Sequence, residues 1–183
     1  MVDVGCGPGH VTARPNGLGV DALGVDLSPR MTEVARCDHL GLRFEVGSMT
    51  DLDLADASVA GLLARWSLIH VPDEEVPPVL GHFRRVLCPG GPLLLGFHVG
   101  DGSRLTAEGY GGHPMRVHVP RRRPERMAAR LRDAGFTVEA HLPLDPDADV
   151  PQALLFARRR PWDGAGSRTR SRDGPSCPLR TVR

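Results

Sequence analysis

Three glycines at alternate positions, Gly5, Gly7 and Gly9, stand directly behind the apolar run Val2-Asp3-Val4 and leave few ways for this chain to begin. The pattern reads as the end of a strand that turns tightly into a helix. Glycine lets the backbone come close to a ligand, and the free N–H groups of the helix start then point at it. Alone, a Gly-x-Gly-x-Gly run also occurs in dinucleotide enzymes and by chance, so the rest of the chain has to decide.

Strand and helix patterns alternate behind it. Ala22 to Asp26 reads as a strand, Pro29 to Cys37 as a helix, Leu42 to Val46 as a strand and Val59 to Trp66 as an apolar strand. Asp73 to Leu87 carries Val76, Val79, Leu80, Phe83, Val86 and Leu87 at helical spacing, and Pro89-Gly90-Gly91 stops it. Leu93 to Val99 follows as a strand. Pro124 to Ala134 reads as a helix with proline at its first position, and Phe136 to Leu142 and Gln152 to Arg158 as strands. This alternation predicts an α/β layer architecture in one domain, residues 1–160. Residues 100–123 shift to Gly, His, Pro and Arg without periodicity and read as a loop inserted near the site. The Arg, Ser, Gly and Pro content of residues 161–183 predicts a disordered tail. Pro15 should shorten or kink the first helix.

Composition excludes several chemistries. All 23 basic residues are arginine, so Schiff-base, pyridoxal-phosphate, phosphate-loop and Tyr-Lys chemistries lack their amine. Residues 1–157 hold 15 arginines against 20 acidic residues, five net negative charges. That balance argues against a nucleic-acid partner, and the triplet Arg121, Arg122 and Arg123 reads as a solvated loop. The four cysteines never form a Cys-x-x-Cys pair, which suggests no metal site. No apolar run reaches the roughly 20 residues of a membrane span, and no signal peptide is evident, so a cytoplasmic protein without a membrane partner is expected.

Asp26 ends the second strand, 17 positions beyond Gly9, where a carboxylate meets both hydroxyls of a ribose. The alternative is that it caps the next helix; Ser28 is the better cap and leaves the aspartate available. Three segments now occur in order: Val2-Asp3-Val4-Gly5-Cys6-Gly7-Pro8-Gly9, Gly24-Val25-Asp26-Leu27-Ser28-Pro29-Arg30-Met31 and Phe83-Arg84-Arg85-Val86-Leu87-Cys88-Pro89-Gly90-Gly91. Together they resemble the motifs of small-molecule class I S-adenosylmethionine-dependent methyltransferases, over roughly residues 1–158. The resemblance implies a Rossmann-like, mostly parallel seven-stranded sheet with an antiparallel last strand and helices on both faces. It implies S-adenosyl-L-methionine as cofactor, with Gly5, Gly7 and Gly9 along its methionine and ribose and Asp26 on the ribose. Leu27 follows in the same segment, and Met31 and Met49 would flank the adenine. Ser48 stands where many members place an aspartate. Arg65, Trp66 and Ser67 would end the fourth strand beside the sulfonium. Members carry helices before the first glycine loop, so the chain reads as shortened at its front.

Methyl transfer to an activated carbon needs orientation and desolvation more than a nucleophile from the protein, which fits a chain without a triad. Where the acceptor arrives protonated, His70 just past the fourth strand is the candidate base, and His98 at the end of the fifth is the second. His70 is also readable as a structural histidine packed against the helix that begins near Asp73. His10 is either a contact for the methionine end or an exposed first-turn residue. Tyr110, His113, Arg116 and His118 suit a lid over a polar or anionic small-molecule acceptor, or a plain surface loop. A monomer or a homodimer is compatible with the sequence. The competing readings are a nicotinamide-dependent oxidoreductase and a truncated, non-catalytic relative.

Overall fold

The computed structural model describes residues 1–108 and 114–161. Strand β1 (Val2–Val4) leads to helix α1 (His10–Gly17), β2 (Leu23–Asp26) to α2 (Pro29–Asp38), and β3 (Arg43–Val46) to β4 (Leu62–Arg65). A 3-10 turn at Leu68–His70 follows, then α3 (Val76–Val86), β5 (Pro92–His98), β6 (Ser103–Glu108), β7 (Pro114–Pro120), α4 (Pro124–Asp133), β8 (Phe136–Leu144) and β9 (Gln152–Arg159). Seven strands form one sheet in the order β3-β2-β1-β4-β5-β9-β8. It is parallel from β3 to β5, and β9 runs antiparallel to both of its neighbours. This is the expected seven-stranded architecture.

The register divides the residues between two faces. Val2, Leu62, Leu93 and Ala157 are aligned across four strands, as are Leu95 with Leu155 and Phe97 with Ala153. On α3 the buried Val76, Val79, Leu80, Phe83 and Val86 form one stripe at helical spacing and meet that face. Met127, Ala128 and Leu131 of α4 join them. Phe83, Phe97 and Phe136 are fully buried here, each stabilising the fold by roughly 1.5–3 kcal/mol through removal of apolar surface from water. The opposite face holds a smaller cluster, where Ala35 of α2 packs on Phe44 with Cys6. Gly24 is required beneath that cluster, because a Cβ there would stand 2.5 Å from the Phe44 ring. Helices α1 and α2 cover the β1–β3 end of this face; farther along it, Leu142 and Phe156 are 46% and 39% exposed.

Helix α1 is short, as Pro15 predicts. Leu18 N–H already closes on the Pro15 carbonyl, so the helix ends two residues past the proline. Two expectations need correction. Residues 100–123 do not form a structureless loop: β6 and β7 pair as an antiparallel hairpin separate from the main sheet. Alternation is confined to a short stretch of β7, where Val119 is buried beside the exposed His118, while β6 is mostly exposed, with Leu105 at 43%. The helix expected from Asp73 begins at Val76, because Pro77 and Pro78 fit the first turn of a helix and not its interior. Tyr110, His113 and the tail residues 162–183 lie outside the described residues. Among the described residues, no helix is long and apolar enough to cross a membrane.

Candidate active site at the carboxyl edge of the sheet

The carboxyl ends of β1, β2 and β4 converge on the glycine loop, where the three glycines do different work. Gly5 (φ +75°) lies beneath the end of β4: a Cβ on it would stand 2.2 Å from Ser67 Cβ. Gly9 (φ +84°) sits at the start of α1, where a Cβ would press to 2.7 Å from the Phe44 ring. It serves helix-to-strand packing. Gly7 alone faces open space, with nothing within 4 Å of its Cβ position.

Asp26 joins the loop to β2. Its Oδ2 accepts the Gly7 N–H at 2.8 Å and its Oδ1 accepts the Ser28 N–H at 2.9 Å. A carboxylate offers about four lone-pair sites, so each oxygen retains room for a further donor. Ser28 is the cap of α2, its Oγ accepting the Met31 N–H at 3.3 Å. Leu27 and Met31 beside it are 73% and 39% exposed. The Ser48 hydroxyl shares a hydrogen bond with Thr50 Oγ1 at 2.7 Å, and Met49 packs against the large core.

At the end of β4 the Arg65 guanidinium stacks on the Trp66 ring, 3.9 Å from its centroid. Trp66 holds φ +54°, strained for a non-glycine residue. Among the described residues, neither Trp66 Nε1 nor Ser67 Oγ has a hydrogen-bond partner, although both atoms are buried. An unsatisfied buried polar group costs about 1–3 kcal/mol. The open side of Gly7, the spare lone pairs of Asp26 and the unsatisfied Ser67 hydroxyl together fit a polar nucleoside ligand.

His70 lies on the 3-10 turn behind Ser67. Burial lowers its proton affinity and the Asp26 charge opposes this. Burial likewise lowers that of His98, and Arg121 and His70 lower it further. Asp26, His70 and His98 therefore lie within electrostatic reach of one another in series. His10 is exposed, with its ring edge-on to His39 at 5.5 Å between centroids.

Two residues here escaped the sequence reading. Asp3 is 2% exposed, and burial pushes its carboxyl up to about 6 even though Thr12 Oγ1 donates to it at 2.7 Å. Its signal was an acid between two buried valines. Arg122 corrects the reading of the arginine triplet as solvated: it is 4% exposed. Its guanidinium donates to Asp73 Oδ1 and the Leu68 carbonyl, both at 2.8 Å, and to the Val71 carbonyl. It thereby clamps the turn that carries His70.

Residues 1–91 match the family described as a methyltransferase domain. The fold matches that of an S-adenosylmethionine-dependent methyltransferase from Methanosarcina mazei with a TM-score of 0.76 at 19% identity, over 87% of this chain and 91% of the other. The matched half and the fold are those of a class I S-adenosylmethionine-dependent methyltransferase. This settles the choice against a nicotinamide-dependent oxidoreductase. The malonyl-[acyl-carrier protein] O-methyltransferase of Pectobacterium atrosepticum is 31% identical over 107 residues, 56% of this chain and 40% of that protein. The chain thus spans well under half the length of this curated methyltransferase. Another member of known structure is the 1,6-didemethyltoxoflavin-N1-methyltransferase of Burkholderia thailandensis, solved with 1,6-didemethyltoxoflavin and S-adenosylhomocysteine bound. It aligns at TM-score 0.70 and 24% identity over 87% of this chain and 70% of its own. S-adenosylmethionine is the cofactor of this family.

Proposed function

We propose that the chain binds S-adenosylmethionine at the carboxyl edge of β1, β2 and β4 and transfers its methyl group to a small-molecule acceptor. The observation that carries this reading is Asp26, a half-exposed carboxylate locked to the glycine loop through Gly7 N–H with lone pairs to spare. Two ribose hydroxyls would donate to those lone pairs. Gly7 admits the ligand against bare backbone, and the Ser67 hydroxyl supplies a buried group in need of a partner. Leu27 and Met31 present apolar surface for the adenine, and Gly5 keeps Ser67 close over the loop.

When bound, the cofactor supplies a methyl on a positive sulfur; the acceptor's electron pair forms the new bond while the sulfur–carbon bond breaks to a neutral thioether. The protein's part is to orient the acceptor and exclude water. His70 holds the proton that a hydroxyl or amine acceptor gives up, since burial keeps its imidazole neutral near pH 7. The Arg122 clamp fixes its position.

Isothermal titration of the chain with S-adenosylhomocysteine tests the reading, with Asp26→Ala as control. Micromolar binding that the variant loses supports the donor site. A folded chain without binding, or binding indifferent to Asp26→Ala, overturns it.

A further inference from the structure

His98, Arg104 and Arg121 line a cavity of about 490 Å³ between the end of β5 and the β6–β7 hairpin. Its other walls include the apolar Leu105, Val119 and Val150, and among the described residues no acidic side chain lines it. Arg121 is held firmly. Its backbone N–H donates to the Gly102 carbonyl at 2.8 Å, and its aliphatic stem lies against Gly100, where a Cβ would come within 3.1 Å of Arg121 Cδ. Its guanidinium, by contrast, makes one long hydrogen bond of 3.5 Å to the Asp149 carbonyl. Neither it nor Arg104 has a carboxylate partner among the described residues.

The cavity next door shows the contrast. There Arg122 and Arg130 are each bonded to Asp73 and Arg123 to Asp101, so three of its arginines already have a carboxylate contact, while Arg121 borders both cavities. Two unpaired cations facing one cavity repel each other and leave guanidinium N–H groups unused, a forked geometry that suits a planar or tetrahedral oxyanion. His98 at the end of β5 lines the same cavity, and Arg121 and His70 both lie near enough to lower its proton affinity.

We propose that the methyl acceptor is an anionic small molecule whose carboxylate or phosphate is held by Arg121 and Arg104, with its apolar body against Leu105, Val119 and Val150. This rests on the donor-site reading above. It makes Arg121 the principal specificity residue of the site. The acceptor's nucleophilic end then lies toward His98 and His70, on the donor side of the cavity.

The test uses the full chain and three probes of one shape: benzoate, phenyl phosphate and the neutral benzamide, each titrated by calorimetry with and without saturating S-adenosylhomocysteine. Benzoate or phenyl phosphate is expected to bind about ten-fold tighter than benzamide or better, and whichever anion wins identifies the oxyanion. Arg121→Gln is expected to erase that preference, and Arg104→Gln, at an exposed hairpin position, to reduce it. The His98 imidazole, followed by NMR, should titrate higher when the anion is bound and no longer respond to it in Arg121→Gln. Binding of S-adenosylhomocysteine without any preference for the anions, or a preference untouched in both variants, overturns this proposal and leaves the donor site standing. Failure of S-adenosylhomocysteine to bind overturns the donor reading and with it any acceptor role for the cavity.

Discussion

Asp26 Oδ2 accepts the Gly7 N–H at 2.8 Å across 19 positions of chain, while the other oxygen of the same carboxylate accepts the Ser28 N–H. One side chain thus shapes both loops that flank the proposed nucleoside site. Asp26→Ala removes two charge-assisted acceptors as well as the proposed ribose contact, and S-adenosylhomocysteine affinity should fall at least about a hundred-fold, near 3 kcal/mol. Asp26→Asn keeps an acceptor for one N–H but turns a donor toward the other. Calorimetry should place it between wild type and alanine, and equal affinities in all three would show that the carboxylate does not touch the ligand.

Asp3 sets a pH dependence of stability. Its carboxyl is pushed up to about 6, first by burial, so the folded chain binds a proton that the unfolded chain has already released above about pH 4. Stability should then fall as pH rises from about 4 to about 6 and level off above that range. Asp3→Asn removes the titration while leaving an oxygen to accept from Thr12. Urea unfolding should find the variant about 1–2 kcal/mol more stable than wild type at pH 7.5, with the gap closing below pH 4. A gap that stays constant with pH would refute the assignment.

The α/β order of the sheet was legible because its signals are local. Glycine and proline stops punctuate the chain, apolar strands sit between them, and α3 shows its stripe within eleven residues. Asp26 was legible for the same reason, at the end of an apolar run. The rest depended on partners distant in sequence. Arg122 looks like one of three solvated arginines until Leu68, 54 positions away, takes its guanidinium. The Arg121 cavity was hidden because β6 and β7 pair only with each other, and their few alternating apolar residues lie among glycine, proline and arginine. The glycines were read as equivalent, and only the packing of Ser67 and Phe44 shows that Gly5 and Gly9 serve the fold while Gly7 is open.

Arg122 ties that hidden layer to the site. Arg122→Met deletes the donors to two buried carbonyls while the exposed Asp73 keeps Arg130, and should cost about 2–4 kcal/mol in denaturant unfolding. Arg122→Lys keeps the charge but presents no fork, and should recover only part of this. If the clamp also positions His70, the imidazole resonance of His70 in Arg122→Lys should shift toward that of an exposed histidine. An unchanged His70 signal beside a large stability loss would confine Arg122 to a structural role.

The glycine loop allows packing and ligand approach to be separated. Gly7→Ala meets nothing within 4 Å and carries only the cost of a left-handed backbone at φ +53°, about 1–2 kcal/mol. Gly5→Ala has the same conformational cost plus a Cβ driven to 2.2 Å from Ser67 Cβ, so β4 or the loop must move. Unfolding curves should therefore show Gly5→Ala as the far more destabilised of the two. Titration with S-adenosylhomocysteine should show Gly7→Ala folded yet weakened by about ten-fold or more, because its new methyl group projects into the space left for the ligand. If Gly7→Ala binds as well as wild type, the open side of Gly7 faces solvent and the ligand lies elsewhere along the edge.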